Sequence, residues 1–291
     1  MGADHRRRGR RADGHGGRLR PGCRHLIRRR GPSGPRLSPE LRAGPPGGPA
    51  PFLAVSIPGL RRVILASHCR GDIAMPGQVT IWTYDWVPKA PRGYVRDLRL
   101  RWALEEAGIG YAVATVPFDD RGPDHLARQP FAQVPFLDDG DIRIFESGAC
   151  LLHLAEKSEA LMPREPQEKA DTLQWFVAAL NSVEMVTVPW WFIDMSGQAE
   201  NLLAGWMQQR FERLEAVLET REWLAATCFT VADIMMSDVL RIPNDLGKLE
   251  NYPALGAYVA RSCSRPAFRK ARRDQLAHFE AADAAKAQAR N

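Results

Sequence analysis

The run from Gln133 to Ala149 limits the possible folds of this chain more than any other. It opens as Gln133-Val134-Pro135-Phe136-Leu137, continues through Asp138-Asp139-Gly140-Asp141, and ends as Ile142-Arg143-Ile144-Phe145-Glu146-Ser147-Gly148-Ala149. The pattern predicts a strand entered through a proline, a tight acidic turn, a second strand, and a helix whose first turn starts Glu-Ser-Gly. A strand beginning at proline leaves backbone groups for a peptide-like ligand, because its first residue need not complete a ladder. A helix start leaves N–H groups free for a carboxylate. Both suit one small anionic peptide.

Upstream, Gln78–Tyr84 alternates as a strand, and Asp85–Arg92, with Pro88 and Pro91, reads as a loop. Between Gly93 and Glu106, Val95, Leu98, Trp102 and Ala103 fall on one helical face, and Gly108 closes the segment. Tyr111–Pro117 predicts a second strand and Pro123–Arg128 a short helix. With a further helix from Gly148 to Lys157, the order is βαβαββα, which predicts a thioredoxin-like α/β domain over residues 77–158. Pro163-Arg164-Glu165-Pro166 reads as a linker, and beyond it the strand signal disappears. Glu168–Phe192 and Glu200–Glu219 carry long helical patterns. Thr230-Val231-Ala232-Asp233 opens another helix, with Thr230 set to cap it and Asp233 to return a bond to the Thr230 N–H. Residues 166–285 therefore read as an all-helical domain.

Charge is unevenly spread. Residues 1–74 hold 16 Arg, no Lys, and only Asp4, Asp13, Glu40 and Asp72 as acids, a net of +12. The remainder must carry a net of −6 to give the overall +6, so the basic balance belongs to the leader and gives no reason to infer nucleic-acid binding. The leader's Arg, Gly and Pro content predicts disorder, since it buries too little apolar surface to offset its ordering entropy. A transit segment, a plain tail and a translation start at Met75 are the competing readings, and Gly and Pro interrupt any transit helix, which favours Met75. The run Phe52–Ala66 is too short and too broken by Pro58, Gly59, Arg61 and Arg62 to span a bilayer. The five cysteines show no C-x-x-C and no metal-ligand spacing. The expectation is a reduced, cytoplasmic protein without a metal or a membrane partner.

At this point the body resembles the glutathione S-transferase family, of the soluble bacterial type, across essentially all of residues 77–285. The residues that carry the resemblance are Pro130-Phe131-Ala132-Gln133-Val134-Pro135, Glu146-Ser147, and Phe229-Thr230-Val231-Ala232-Asp233 at the late helix start. Gln129 and Ala132 stand where the family usually has Asn and Gly. The resemblance implies a cis peptide at Pro135, with Val134 pairing antiparallel to the cysteinyl backbone of glutathione. It implies that Glu146 receives the γ-glutamyl ammonium and that Ser147, with the helix N–H groups, receives its carboxylate. Gln133 adds a contact to the ligand backbone, and Arg121 stands near a family lysine that pairs with the glycine carboxylate. An edge-strand proline, a helix-capping serine and an exposed loop arginine are the plainer readings of Pro135, Ser147 and Arg121.

Family chemistry requires the thiolate of glutathione, because only the ionised sulfur attacks. Members supply a Tyr at the end of the first strand or a Ser or Cys at the start of the first helix, yet no Ser or Cys occurs between Gly77 and Arg101. Tyr94 and Tyr84 are the candidates, beside a backbone or Arg-assisted site using Arg92 or Arg96. Trp190 and Trp191, about 100° apart on a helix, are candidates for an apolar pocket, with core packing as the alternative. Cys150 reads as a small buried residue, and Arg221, Arg261, Arg265, Arg269 and Lys270 as solvated surface. The expectations are a homodimeric transferase using glutathione as co-substrate on a small electrophile, or a non-catalytic binding module of the same fold. A disulfide oxidoreductase is disfavoured by the absence of C-x-x-C.

Overall fold

The computed structural model describes residues 78–225 and 227–288. The leader expected over residues 1–74, the start at Met75 and the run Phe52–Ala66 lie outside the described residues.

Strand β1 (Val79–Tyr84) pairs in parallel with β2 (Tyr111–Val116) and antiparallel with β3 (Phe136–Asp139), which continues antiparallel into β4 (Ile142–Phe145). The order across the sheet is β2-β1-β3-β4. Ile81 lies opposite Leu137, and Leu137 opposite Ile144, so one face of the sheet carries the aliphatic residues. Ile81 and Leu137 are fully buried there. On the other face Trp82 stacks on its partner Phe136 with centroids 5.3 Å apart, and Tyr84, Val116 and Phe136 form a small second core with Phe279. Gly140 turns the β3–β4 hairpin at φ 61°, a conformation that suits glycine.

Helix α1 (Asp97–Ala107) starts four residues later than the apolar pattern suggested and ends at Gly108, φ 65°. It is buried on more than one face: Leu98, Leu100, Trp102 and Leu104 are buried, but so are Asp97, Arg99 and Arg101. The stripe of Val95, Leu98, Trp102 and Ala103 therefore understated the burial, because α1 is packed by α3, α7 and α9 as well as by β1. Helix α2 (Pro123–Arg128) precedes β3, and α3 (Ser147–Ala155) follows β4 directly.

The second half is helical: α4 (Pro166–Ala178), a π-helical segment (Ala179–Glu184), α5 (Met185–Met195), α6 (Ala204–Leu218), α7 (Val231–Asp245), α8 (Pro253–Cys263) and α9 (Pro266–Gln288). Helices α4 and α5 join through the π segment into one run, Pro166–Met195, long and apolar enough by length and composition to cross a membrane. Phe176, Ala179, Val183, Val186 and Trp190 of this run are buried in the protein core. Helix α7 forms the expected capping box, in which the Asp233 carboxylate accepts from the Thr230 N–H at 2.9 Å.

Helix α9 returns to the first half. Arg265 makes a bidentate pair with Glu106 of α1 at 2.6 and 2.7 Å, and its guanidinium lies 4.1 Å from the Phe229 ring centre. Lys270 pairs with Glu105. Lys270 is exposed, as the reading of solvated surface expects, whereas Arg265 is partly buried and corrects that reading; the acids they pair with lie roughly 160 residues away along the chain.

Ala132 adopts φ 52°, in the region that favours glycine. A non-glycine residue there costs roughly 1–2 kcal/mol. Ala132→Gly is expected to raise stability by about 1 kcal/mol, less the entropy glycine adds to the unfolded chain. Urea unfolding checks it, and a loss of stability would refute the strain argument.

Candidate functional site at the interdomain cleft

The loop before β3 is held from within. Gln129, buried, accepts through Oε1 from the N–H groups of Phe131 at 2.6 Å and Gln133 at 3.2 Å. His125 Nε2 donates to the Gln133 carbonyl at 2.8 Å, which fixes the proton on that nitrogen because a carbonyl only accepts. Val134–Pro135 is a cis peptide, and Val134 is half-buried. Glu146, exposed, precedes α3 with φ 71° and ψ 122°. A non-glycine residue in that region costs roughly 1–3 kcal/mol and persists where its surroundings hold it. Ser147 opens the helix, buried, with Oγ accepting from Arg99 Nη1 at 3.2 Å.

Arg99 is the hub of the site. From α1 it reaches Asp238 of α7 at 2.6 Å and Glu184 of the π segment at 2.7 Å, as well as Ser147. Glu184 also takes Arg96 at 2.9 Å, and Asp238 takes Arg241 at 2.6 Å. Burial works against the Arg99 charge, but Asp238 and Glu184 override it and raise its pKa above the usual value. Burial likewise opposes ionisation of both carboxylates. Arg241 and Arg99 outweigh it at Asp238, and Arg99 and Arg96 at Glu184, so both pKa values fall below the ordinary range.

Arg96, Arg99, Glu184, Asp238 and Arg241 border a cleft of about 380 Å³ between the α/β and helical halves, whose lining includes Gln133 but not Val134, Pro135, Glu146 or Ser147. Tyr94, Arg96, Arg99 and Gln133 line it from the first half, and Glu184, Trp191 and Phe192 from the second. Trp191 faces this space, whereas Trp190 is buried in the core and is not part of the lining. Among the described residues no group of three or more His, Cys, Asp or Glu side chains is placed to hold a metal ion.

The two tyrosines sit differently. Tyr94 lines the cleft, but its hydroxyl donates to Asp245 at the end of α7 and its ring lies under Arg241, 4.9 Å from the guanidinium carbon. Burial and then Asp245 push its phenol up to about 12. Tyr84 is absent from the cleft lining; it packs in the second core, and its hydroxyl faces the Ala132 carbonyl at 3.4 Å. Arg121, exposed, lies over the rings of Tyr84 and Phe118 at 5.3 and 5.7 Å. Arg92 is tied to Asp283 and the Val87 carbonyl, away from the cleft. Cys150 is fully buried, its thiol pushed up to about 12 by desolvation. Arg99, Glu184 and Asp238 are the residues that sequence reasoning passed over. A charged residue within the apolar pattern of α1 was the only signal, and it did not reveal its partners.

Residues 90–156 match the family "Glutathione S-transferase, N-terminal domain" and residues 203–266 match "Glutathione S-transferase, C-terminal domain". The chain is 30% identical over 192 residues to glutathione S-transferase 1 of Zea mays, covering 59% of this chain and 88% of that protein. This chain belongs to the glutathione S-transferase family. Glutathione S-transferase 4 of Zea mays is 33% identical over 144 residues, 46% of this chain and 64% of that one. The disulfide-bond oxidoreductase YfcG of Escherichia coli is 31% identical over 183 residues, 56% of this chain and 84% of that one. In fold, this family member resembles a glutathione transferase from Pseudomonas putida solved with glutathione disulfide bound, with TM-score 0.60 and 20% identity over 69% of this chain and 93% of that one.

Proposed function

We propose that the protein binds glutathione along the entrance to β3 and the start of α3, and promotes attack of its thiolate on a small hydrophobic electrophile in the cleft. The hydrogen bond from Arg99 to Ser147 carries this reading, because Arg99 also lines the cleft beside Gln133. Val134, Glu146 and Ser147 do not themselves line the cleft, and Arg99 is the residue that joins the start of α3 to it. Val134 offers its backbone to the cysteinyl unit, the exposed Glu146 carboxylate accepts the γ-glutamyl ammonium, and Ser147 with the α3 N–H groups takes the carboxylate. Arg121 is placed outside this cleft and is the candidate for the glycine carboxylate. Trp191 and Phe192 supply an apolar wall for the electrophile.

Arg96 is the group we assign to the thiolate. It lines the cleft beside the start of α1, its side chain is 40% exposed, and its charge together with the helix N-terminus favours an anionic sulfur. Attack on an aryl halide forms the C–S bond, expels halide with the bonding electron pair, and releases the thiol proton to solvent. The transferase names of the maize relatives support the reading. A homodimer through the Gly148–Lys157 and Glu168–Phe192 segments is part of this reading, and Val177 and Met185 are exposed on the second of them.

Retention on immobilised glutathione with turnover of chlorodinitrobenzene is the expected result. Ser147→Ala is expected to weaken glutathione binding about tenfold, as loss of a hydrogen bond to a charged group does. Tyr94→Phe is expected to leave kcat/KM within about threefold, since its hydroxyl is committed to Asp245; a hundredfold loss would return the thiol-activating role to Tyr94. Retention without turnover of any electrophile would favour the binding module, the reading to which the committed hydroxyls of Tyr84 and Tyr94 point. Turnover of a glutathione mixed disulfide in place of the aryl halide would favour the oxidoreductase chemistry that the YfcG name carries.

A further inference from the structure

The loop between β1 and α1, residues 85–96, carries Pro91, Tyr94 and Arg96 into the lining of the cleft. It ends without a local cap: Arg96, at the N-cap of α1, has helical dihedrals, φ −69° and ψ −7°, and its side chain makes no capping bond. The loop is tied down from α9 instead. Gln275, fully buried, accepts through Oε1 from the Gly93 N–H at 3.2 Å. Its Nε2 donates to the Val95 carbonyl at 2.9 Å and to Asp97, the first residue of α1. Farther along the same face of α9, at three-and-four spacing, His278 Nε2 donates to the Tyr84 carbonyl at 3.0 Å, and Phe279 packs against Val87 in the second core. Asp283 accepts from Trp86 Nε1 at 2.7 Å and takes both terminal nitrogens of Arg92, at 2.6 and 2.8 Å. Lys286 ends the row 3.9 Å from the centre of the Trp86 ring.

No residue of α9 lines the cleft, so this helix acts on the loop from behind and not as a cover over the site. The hydrogen bonds of Gln275, His278 and Asp283 go to Tyr84, the loop and Asp97, and none goes to β3 or the start of α3, where glutathione is anchored. The α7 helix adds one bond to the loop, from Arg241 to the Gly93 carbonyl at 2.9 Å. The α9 contacts therefore bear on where Arg96 and the α1 N-terminus stand, and not on the residues that hold the ligand. A charge aimed at a reacting atom loses its effect when it is misplaced by about 1 Å.

We propose that Gln275 and Asp283 of α9 are positioning residues for the reaction, fixing the β1–α1 loop so that Arg96 and the N-terminus of α1 face the sulfur of bound glutathione. This rests on Arg96 as the partner of the thiolate. Turnover of chlorodinitrobenzene by the full-length protein, and the ultraviolet absorbance of the thiolate in its glutathione complex, test it. Asp283→Ala, at a side chain 42% exposed, is expected to lower kcat about tenfold and to leave KM for glutathione within about threefold. The thiolate absorbance at neutral pH is expected to fall by about half or more. Asp283→Glu, which keeps both acceptor oxygens, is expected to recover most of both losses, and Gln275→Ala to change both in the same direction as Asp283→Ala. Lys270→Ala removes the α9 pair with Glu105 without touching the loop, and is expected to leave kcat and absorbance within about twofold. Unfolding curves establish that each variant is folded. Wild-type kcat and absorbance in Asp283→Ala, a loss confined to KM, or an equal loss in Lys270→Ala would each overturn the proposal. A wild-type complex with no thiolate would sink the reading of Arg96 and this proposal with it, whereas a wild-type thiolate that Asp283→Ala leaves unchanged sinks this proposal alone.

Discussion

Arg99→Met is expected to destabilise the protein by about 3 kcal/mol and to lower its Tm by about 10 °C. The substitution keeps the length of the side chain, so little of the loss comes from a cavity. What it removes is the group that, among the described residues, reaches Glu184, Asp238 and Ser147 together. The loss falls at the lower end for a broken buried pair because Asp238 keeps Arg241 and Glu184 keeps Arg96. A double-mutant cycle with Asp238→Asn should give a coupling of at least about 1 kcal/mol. Additive losses would show that the network is a set of independent contacts.

The same cluster sets an acid limit. Asp238 and Glu184 have folded pKa values below their ordinary values of 3.8 and 4.5. An acid whose folded pKa is depressed contributes stability that is fully present above its unfolded pKa and is lost as pH falls through the folded pKa. Denaturant midpoints should therefore hold steady from neutral pH down to about pH 5 and then fall. In Arg99→Met the decline should be shallower, because the two carboxylates titrate closer to their unfolded values. An equal slope in both proteins would remove Arg99 as its cause.

Asp233→Ala is expected to cost about 4 kcal/mol. Asp233 is fully buried and accepts from Leu224 N–H at 3.0 Å, Thr230 N–H at 2.9 Å, Thr230 Oγ1 at 3.1 Å and the Tyr258 hydroxyl at 3.0 Å. Alanine leaves two buried amide donors and a buried phenol without that acceptor, each costing roughly 1–3 kcal/mol before relaxation. Burial is the largest influence on this carboxyl and holds its pKa above 3.8 despite the four bonds. Asp233→Asn keeps one acceptor oxygen and is expected to recover about half the loss. Urea unfolding measures both, and an alanine variant within about 1 kcal/mol of wild type would show that water replaces the carboxylate.

The capping box was legible because it is local. Thr230 and Asp233 lie three residues apart, and helix geometry alone brings an N-cap hydroxyl and an N3 carboxylate together. The β3–β4 hairpin was legible for the same reason: alternation on each side of Asp139-Gly140 fixes which face is buried, and Gly140 fixes the turn. Ala132 was marked as a departure, and the left-handed backbone shows its consequence. Helices α8 and α9 were covered only by the extent assigned to the second domain, because charged residues interrupt the buried stripe of α9 formed by Phe268, Ala271, Gln275 and Phe279.

The adjacent Trp190 and Trp191 could be read as pointing apart, but which one faced the cleft depended on where α7 lay. Between Tyr84 and Tyr94, the helix start favoured Tyr94 and the end of β1 left Tyr84 open to core packing, but local sequence did not decide either. Their partners do: Ala132 lies 48 residues from Tyr84 and Asp245 lies 151 residues from Tyr94.

The sequence by itself determined the order of elements, the two halves, the hairpin, the late helix cap and the family to which they belong, since each depends on spacing within a few residues. Tertiary structure alone decided which charges of α1 are buried, which tyrosine lines the cleft, and that Arg99 joins Ser147 to Glu184 and Asp238. Those partners stand 48, 85 and 139 residues from Arg99 along the chain. A buried charge is tolerable only when opposite charge surrounds it, and only the folded chain supplies that charge from so far away.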